Sequence, residues 1–529
     1  MNVLSNAAHR AELALSLLSG TTLVGAALFG IANPTPASAD QQFLKHGSLV
    51  ISSSTYDKTQ GAVATLKVGS TLPNTATATT KAVADNNYVN IWNNASVDGS
   101  FGVTSAIQLT DIDLSNGKVF RSMRVPTDQI VTSFSSKSEL GLHVLNNWPS
   151  VKVVFVGYAG AAPVNGLNPP AVGVGFLDVS NSDAVAGQDP TNPVTFAFGN
   201  TYAFRRTIAS VDEKGNITYT PTNDYGGNNG RSALLGPNGL YYMVGNANNG
   251  NATTFGPSNG TNPDVTETTG LEVVNPIGSS VVNATIASAT SAEVDPLLQF
   301  DFTGGKKPDK PGKDNNYRGL TEFGGALFFT KGSGSNGIDT VYTVPPPNSL
   351  PTLANAASSP IKIVPGFPTD SAKLTGGDFT PFAVFFANPT TMYVSDEDTG
   401  NNLDASSHAG LQKWILGSDG SWHLQYVLTK GLIGAVDSNV TGSDGPWPAI
   451  TTIGLRNLTG RINGDGTVTL WATTSTSSAS GDNGADPNKV VEIVDQIAAT
   501  QLSQVGNESF ISVAGPIYGT VFRGVGFVE

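Results

Sequence analysis

The sequence predicts an all-β fold, a β-propeller of about seven four-stranded blades, and three observations support this prediction. Of the 529 residues, 60 are Gly and 31 are Pro, and only 13% are charged, which is typical of many short strands joined by turns. A pattern of two β-rich runs around a polar loop recurs along the chain. The two ends of the chain resemble neighbouring strands of one blade.

The clearest repeats are four units in which an apolar β-rich run, a loop rich in Gly, Asp and Asn, and a second β-rich run follow one another. They are LYYMVGN from Leu240 with GLEVVNP from Gly270, LFFTKGS from Leu327 with IDTVYTV from Ile338, MYVSDED from Met392 with GLQKWIL from Gly410, and LWATTST from Leu470 with KVVEIVD from Lys489. A unit of this size cannot bury both faces of its own sheet. It therefore has to stack on its neighbours, as propeller blades do.

Weaker units fill the first half of the chain. They are GSLVISSSTYD from Gly47 with GAVATLKVG from Gly61, the run from Val89 with GKVFRSMRVP from Gly117, and GLHVLNN from Gly141 with VKVVFVGYAG from Val151 and AVGVGFLDVS from Ala171. Two alternating runs from Thr201 surround the turn at Glu213 to Asn216, which predicts a hairpin at the outer edge of a blade. A short helix is predicted only near residues 495–504.

The ends of the chain predict closure of the ring. YGTVFRGVGF, from Tyr518, resembles the opening strand of a blade, and LVISSST, from Leu49, resembles the strand that would follow it. Propellers commonly complete one blade with strands from both termini, which protects edges that would otherwise template aggregation. The alternative is that the run from Tyr518 is a simple edge strand.

The first 39 residues resemble an export signal. An apolar segment from Leu13 to Ala32 is followed by Pro34 and Pro36, and then by the small-residue cleavage pattern Ala37-Ser38-Ala39. We therefore expect a signal peptide at 1–39 and a single propeller domain with loop insertions at 40–529, in a secreted or periplasmic protein. The alternative is an uncleaved membrane anchor, because the apolar segment is long enough to span a bilayer. No membrane span is expected in the mature chain.

Charge and cysteine content exclude several classes of function. A net charge of −13 and a pI near 4.8 argue against a nucleic-acid partner, which would need a basic face. The chain has no cysteine, so disulfides, thiolate zinc sites, iron–sulfur clusters and a cysteine nucleophile are absent.

The strongest chemical feature is the segment DEDTGNNLD from Asp396, which predicts a Ca²⁺ site. The candidate ligands are Asp396, Asp398, Asn401 and Asp404, because Ca²⁺ takes carboxylate and amide oxygens at short range. The segment is not an EF-hand. The competing interpretation is that Asp, Asn and Gly are ordinary turn residues that bond their own backbone.

Tryptophans offer a second possible ligand surface. Trp414 and Trp471 lie inside predicted strands, so we expect them in the core. Trp447 is flanked by prolines in a predicted loop, where an exposed ring could stack on a sugar.

The motifs YVSDEDTG with GLQKWIL, GLRNLTGRINGDGTVTLWATTS and FRGVGF resemble blades of secreted bacterial β-propellers, the broad group that includes quinoprotein, NHL-type and lactonase-like rings. The resemblance implies a central channel and a loop-built face where ligands usually bind. It carries over no catalytic residue, because the chain matches no active-site motif of that group.

Two functions are compatible with these observations. The first is an exported binding or scaffold protein, steadied by Ca²⁺, whose partner is a small molecule, a polysaccharide or a surface protein. The second is a metal-dependent extracellular hydrolase of the lactonase or phosphoesterase type, with carboxylates from several blades around an ion at the channel mouth.

Overall fold

The structure is a computed structural model, and all of the residues that it describes belong to one compact unit, Pro36–Glu529. The described residues are 42–70, 81–88, 90–91, 103–147, 150–160, 194–195, 201–202, 206–222, 224–225, 229–246, 254–255, 265–266, 270–282, 287–291, 316–333, 337–344, 350–370, 379–398, 408–481 and 483–529. Within them the regular elements are β-strands and three short 3₁₀ turns, Ala62–Thr65, Ala356–Ser358 and Leu502–Gln504. The all-β prediction is confirmed for this part of the chain, where no helix is long and apolar enough to span a membrane.

The strands are numbered β1 to β32 in chain order. A nine-stranded sheet has the order β10-β9-β6-β4-β2-β1-β32, with β3 paired to β2 and β5 paired to β6. Its strands are β1 (Ser48–Thr55), β2 (Thr104–Asp113), β3 (Lys118–Arg124), β4 (Ile130–Ser133), β5 (His143–Leu145), β6 (Lys152–Ala159), β9 (Arg206–Asp212), β10 (Ile217–Thr222) and β32 (Thr520–Val528).

Four further sheets have four or five antiparallel strands each. They are β11 (Gly230–Leu235), β12 (Tyr241–Gly245), β15 (Leu271–Val274) and β16 (Ala289–Ser291); β17 (Leu320–Phe323), β18 (Ala326–Lys331), β19 (Thr340–Val344) and β20 (Lys362–Ile363); β21 (Pro381–Asn388), β22 (Thr391–Asp396), β23 (Gly410–Leu416) and β24 (Trp422–Leu428); and β25 (Val436–Asp437), β28 (Ile450–Ile462), β29 (Thr467–Ser478), β30 (Val490–Gln496) and β31 (Ile511–Ala514). Three small pairs are β7 (Val194–Thr195) with β8 (Thr201–Tyr202), β13 (Thr254–Phe255) with β14 (Val265–Thr266), and β26 (Thr441–Gly442) with β27 (Gly445–Pro446).

These sheets have a β-propeller arrangement in which the four sheets from β11 to β31 are separate blades. The four clear sequence repeats are the central hairpins of these blades, β12 with β15, β18 with β19, β22 with β23, and β29 with β30. The count of about seven blades is not confirmed.

The weaker repeats had mixed outcomes. β5 pairs with β6, β2 with β3, and β9 with β10 as the predicted hairpin. The pairing of residues 47–57 with residues 61–69 is wrong: β1 pairs instead with β2, and residues 61–69 contain a 3₁₀ turn. The helix predicted at 495–504 is also wrong, because β30 continues to Gln496 and only the turn Leu502–Gln504 follows. The run from Ala171 lies outside the described residues.

β1 and β32 are neighbours in the nine-stranded sheet. Their antiparallel register runs from Ser48 opposite Val528 to Thr55 opposite Thr520, with one irregularity between Ile51 and Ser53. The last strand of the chain therefore shares a sheet with the first strand of the described residues.

Six strands, two from the nine-stranded sheet and one from each of the four blades, contact one another in succession. We call β5, β11, β17, β21, β28 and β32 the inner strands; each contacts the next in this order, and β32 contacts β5. Glycine permits the closest approaches, because a Cβ on Gly319 would lie 2.2 Å from the Phe382 carbonyl oxygen. A Cβ on Gly524 would lie 2.4 Å from the carbonyl oxygen of Leu140.

Apolar clusters fill the space between consecutive sheets. Tyr242 and Val244 of one blade, for example, share a cluster with Leu327 and Phe329 of the next. Because each blade presents apolar side chains on both faces, burial against two neighbours supplies most of its stability.

Hydroxyls at the same position of four repeats donate to carbonyl oxygens on or next to inner strands, and three of the four bonds join neighbouring sheets. The four residues are fully buried and donate to inner-strand or adjoining carbonyl oxygens: Ser52 to Leu140, Thr330 to Phe382, Ser395 to Arg456, and Thr473 to Arg523. They occupy the fourth position of LVIS, LFFT, MYVS and LWAT. The repeat thus encodes both the apolar blade face and a hydrogen bond to the neighbouring blade.

Replacing Thr330 with Val keeps the shape of the side chain but removes its 2.6 Å hydrogen bond to the Phe382 carbonyl oxygen. We expect the free energy of unfolding to fall by about 1–3 kcal/mol, because a buried carbonyl loses its donor. Urea denaturation measures this. The control is Thr441→Val at an exposed position, where we expect a change within about 0.5 kcal/mol. Equal effects in the two variants would contradict the role of the hydroxyl.

Candidate ligand site in the central channel

A cavity of about 190 Å³ lies between the inner strands. Each of the six inner strands contributes to its wall, which also includes Gly319, Gly460 and Gly526. The polar groups of the wall are neutral side chains: His143, Asn146, Ser232, Thr321, Asn457 and Thr459.

His143 is the titratable group in this described wall. It lies on β5, and burial lowers the pKa of its imidazole to about 4, so the ring is neutral at neutral pH. Its Nδ1 has no hydrogen-bond partner within the described residues. Asn457 and Thr321 instead donate to the backbone, to Arg523 at 2.8 Å and to Val384 at 2.8 Å.

Four buried arginines lie beside the cavity wall, on or just before inner strands. We call Arg231, Arg318, Arg456 and Arg523 the arginine layer; each is at most 6% exposed. Each is followed by a small or short polar residue and then an apolar one: Arg231-Ser232-Ala233, Arg318-Gly319-Leu320, Arg456-Asn457-Leu458 and Arg523-Gly524-Val525. Ser232, Gly319 and Asn457 are themselves part of the wall.

Glu397 holds two members of the layer together. Its Oε1 accepts from Arg318 Nη1, and its Oε2 accepts from Arg456 Nε at 3.1 Å. Burial raises the pKa of Glu397, but the guanidinium groups of Arg318 and Arg456 outweigh it, so this pKa lies below its usual value. Glu397 therefore stays ionised in a site that water barely reaches.

Neutral acceptors hold the other two arginines through the contacts that the structure describes. Arg231 Nη1 donates to Asn316 Oδ1 and, at 3.2 Å, to the Tyr317 carbonyl oxygen. Burial, and then the positive charge of Arg318, lower the pKa of Arg231 to about 9. Arg523 donates to Ser54 Oγ at 3.3 Å and to the carbonyl oxygens of Phe134 and Gly484.

A second buried carboxylate, Glu139, lies near Arg231 and is held by neutral donors. Its Oε2 accepts from Thr132 Oγ1 at 2.6 Å and Ser133 N at 2.9 Å, and its Oε1 accepts from Tyr158 and Asn229 at 2.5 Å. Because these donors satisfy both oxygens, Glu139 does not need an arginine to offset its burial.

The predicted calcium ligands are only partly described. Asp396 is fully buried, and its carboxylate accepts from Thr380 N at 3.0 Å, from Gln412 Nε2 at 3.1 Å and from Asp398 N at 3.1 Å, in addition to the Thr380 hydroxyl. Burial raises the pKa of Asp396 to about 6, against these hydrogen bonds. Asn401 and Asp404 lie outside the described residues. Within the described residues, no group of three or more acidic or histidine side chains could hold a metal ion. The calcium site stays a prediction.

The tryptophan predictions had two outcomes. Trp414 and Trp471 are buried in the core, as predicted. The exposure expected for Trp447 is wrong: it is 2% exposed, its ring centroid lies 4.3 Å from that of Tyr88, and its Nε1 donates to Asp486 at 3.1 Å.

Sequence reasoning missed the arginine layer. The four arginines share a pattern of an Arg, a small or short polar residue and an apolar residue, but Arg121-Ser122-Met123 and Arg206-Thr207-Ile208 share it as well. The recurrence becomes meaningful only when those positions are known to lie on or next to inner strands.

Comparison with known proteins gives only distant matches to solved structures. No family model and no curated protein matches the chain. Among solved structures, an endo-arabinase from Bacteroides thetaiotaomicron VPI-5482 shares 11% identity over 54% of this chain and 80% of its own, with a TM-score of 0.25. A GH43_1 enzyme from Xanthomonas citri complexed with xylose shares 9% identity over 62% of this chain and 88% of its own, with a TM-score of 0.24. A chain from a complex of S. cerevisiae dbp5 with nup159 and gle1 shares 8% identity over 93% of this chain and 98% of its own, with a TM-score of 0.28. Likenesses at this level carry no argument about activity.

Proposed function

We propose that the protein is an exported β-propeller that binds a ligand in its central channel. The observation that supports this proposal is the cavity of about 190 Å³ enclosed by the inner strands and bordered by the arginine layer. Ligand sites are commonly concave, with a few polar groups placed on a rigid scaffold. The resemblance of the first 39 residues to an export signal supports secretion.

In this proposal the ring has six blades. The nine-stranded sheet is then two blades, β32-β1-β2-β3 and β5-β6-β9-β10, which β4 bridges by pairing with both β2 and β6. The contact between β32 and β5 and the apolar cluster that joins Trp471 to Leu49 and Phe527 support closure at this point. The pairing of β1 with β32 would then be the seam of the ring.

The chemistry of the channel favours binding over hydrolysis. A metal-dependent hydrolase would need carboxylates from several blades around one ion, with an open coordination position. The described wall instead presents neutral polar side chains, and the layer beside it is rich in guanidinium groups. Such a surface suits recognition of a small molecule or of one residue of a polysaccharide.

The test is thermal unfolding of the full chain in the presence of neutral and of acidic sugars. In a parallel assay, turnover of each sugar, of a generic ester and of a generic phosphate is measured. A sugar at one hundred times its dissociation constant should stabilise the fold by about 2.7 kcal/mol. His143→Trp should remove this effect by filling the cavity, whereas His423→Trp, at an exposed strand position, should retain it. Binding that survives His143→Trp would contradict the channel site, and turnover of the ester or phosphate would favour the hydrolase.

Calcium binding at Asp396, Asp398, Asn401 and Asp404 belongs to the same proposal, with a structural role for the ion. Chelation with EDTA should lower the melting temperature by several degrees, and added Ca²⁺ should restore it, because binding to the folded state alone stabilises it. Asp398→Asn should remove this response, and Asp419→Asn, in an exposed turn, should leave it intact. A melting temperature that does not respond to EDTA would remove calcium from the account.

A further inference from the structure

Arg231 and Arg318 of the arginine layer each have an Nε donor without an acceptor among the described residues. Arg231 Nε and Arg318 Nε make no hydrogen bond within the described residues, although the side chains are only 5% and 6% exposed. A guanidinium group carries five N–H donors and no acceptor. Because a buried unsatisfied donor costs about 1–3 kcal/mol, two such donors in one place need an explanation.

Charge in this place is also incompletely balanced by direct contacts. Arg318 and Arg456 share the single carboxylate of Glu397, and Arg231 makes no ion pair with any described residue. Burial and the nearby charge of Arg318 lower the pKa of Arg231 to about 9, although the charges of Glu139 and Glu397 act in the opposite direction. The two guanidinium groups therefore destabilise each other, which an added anion would relieve.

The geometry leaves the same edge of both guanidinium groups available. Nη1 of Arg231 donates hydrogen bonds to Asn316 and Tyr317, and Nη1 of Arg318 donates one to Glu397. The Nε edge of a guanidinium can present a pair of parallel donors to the two oxygens of an oxyanion.

The cavity borders the segments that carry Arg231 and Arg318, although neither arginine is itself among its lining residues. Ser232 and Gly319 line the cavity and directly follow Arg231 and Arg318 in the chain. A volume of about 190 Å³ exceeds several-fold the volume of about 30 Å³ that one water molecule occupies in the liquid. The space suffices for the polar end of a small organic acid.

We propose that Arg231 and Arg318 form an oxyanion site at the inner end of the cavity, which holds the carboxylate or phosphate group of the channel ligand. This inference rests on the proposed binding function and adds the charge class of the ligand. Arg456 and Glu397 position Arg318, whereas Arg231 contacts the oxyanion without an ionic partner of its own among the described residues. The neutral wall around His143 accommodates the uncharged remainder of the ligand.

The experiment is calorimetric titration of the full chain with sodium D-glucuronate, with inorganic phosphate and, as the neutral match of the first, with D-glucose, all at constant ionic strength. We expect glucuronate or phosphate to bind at least tenfold more tightly than glucose. Arg231→Met should weaken this binding at least tenfold. Arg124→Met, which removes an exposed arginine at the end of β3, should leave the affinity unchanged.

A second variant separates recognition from folding. Arg231→Lys keeps the charge but loses the two-pronged geometry, so it should retain the fold in urea denaturation and still bind the anion less tightly. Equal affinity for glucose and glucuronate, or equal losses in Arg231→Met and Arg124→Met, would overturn the oxyanion site. If neutral sugars bind and His143→Trp abolishes that binding while no anion binds, the oxyanion site fails and the channel function stands. If no sugar and no anion binds, both fail.

Discussion

The pairing of β1 with β32 is the constraint on which the rest of the structure depends. Each blade is an open sheet with apolar side chains on both faces, so a linear row of blades would leave two outer faces and exposed strand edges. Pairing β32 with β1 places the last strand of the chain and the first described strand in one sheet. The cluster that contains Leu49, Trp471 and Phe527 packs this sheet against β29, which supports the proposed closure of the ring.

The inner strands bring neighbouring sheets into contact and also line the cavity. Gly319 and Gly524 let the backbones of neighbouring sheets come close together. Buried hydroxyls such as that of Thr330 donate hydrogen bonds to carbonyl oxygens that would otherwise be buried without a donor. The same strands place arginines next to the cavity. Scaffold and candidate site are therefore encoded by adjacent residues: Arg318 belongs to the arginine layer, and Gly319 to the close packing.

The fold was more predictable from the sequence than the site. Alternation and Gly-rich loops identified the central hairpin of each blade, because strand pairing between neighbouring runs is a local property. The partner of β1 was misassigned because its true neighbours, β2 and β32, are distant in sequence. The segment from Gly61 has a similar local pattern, and a local pattern does not show which of several such segments pairs with β1. The blade count is not confirmed for a related reason, since β4 joins what the sequence presents as separate units.

The site depends on contacts between blades, which no single repeat contains. Glu397 was visible in the sequence as part of an acidic loop, but its pairing with Arg318 and Arg456 joins three separate segments. Trp447 was expected at the surface because of its prolines, yet Tyr88 and Asp486, both remote in sequence, draw it inward. Asp396 was predicted from the sequence as an ion ligand, and its hydrogen bonds with backbone and side-chain donors of its own blade are a further set of contacts that the sequence did not indicate.

A designed disulfide tests the seam most directly, because the natural chain contains no cysteine. Thr55 lies opposite Thr520 across β1 and β32, and residues opposite each other on antiparallel strands are about 4.5–5.5 Å apart between Cα atoms, within the range of a disulfide. The double variant Thr55→Cys with Thr520→Cys should cross-link under mild oxidation in the folded state, as shown by gel mobility and by peptide mapping of the linked fragments. Cross-linking that requires denaturant, or that does not occur, would contradict the account.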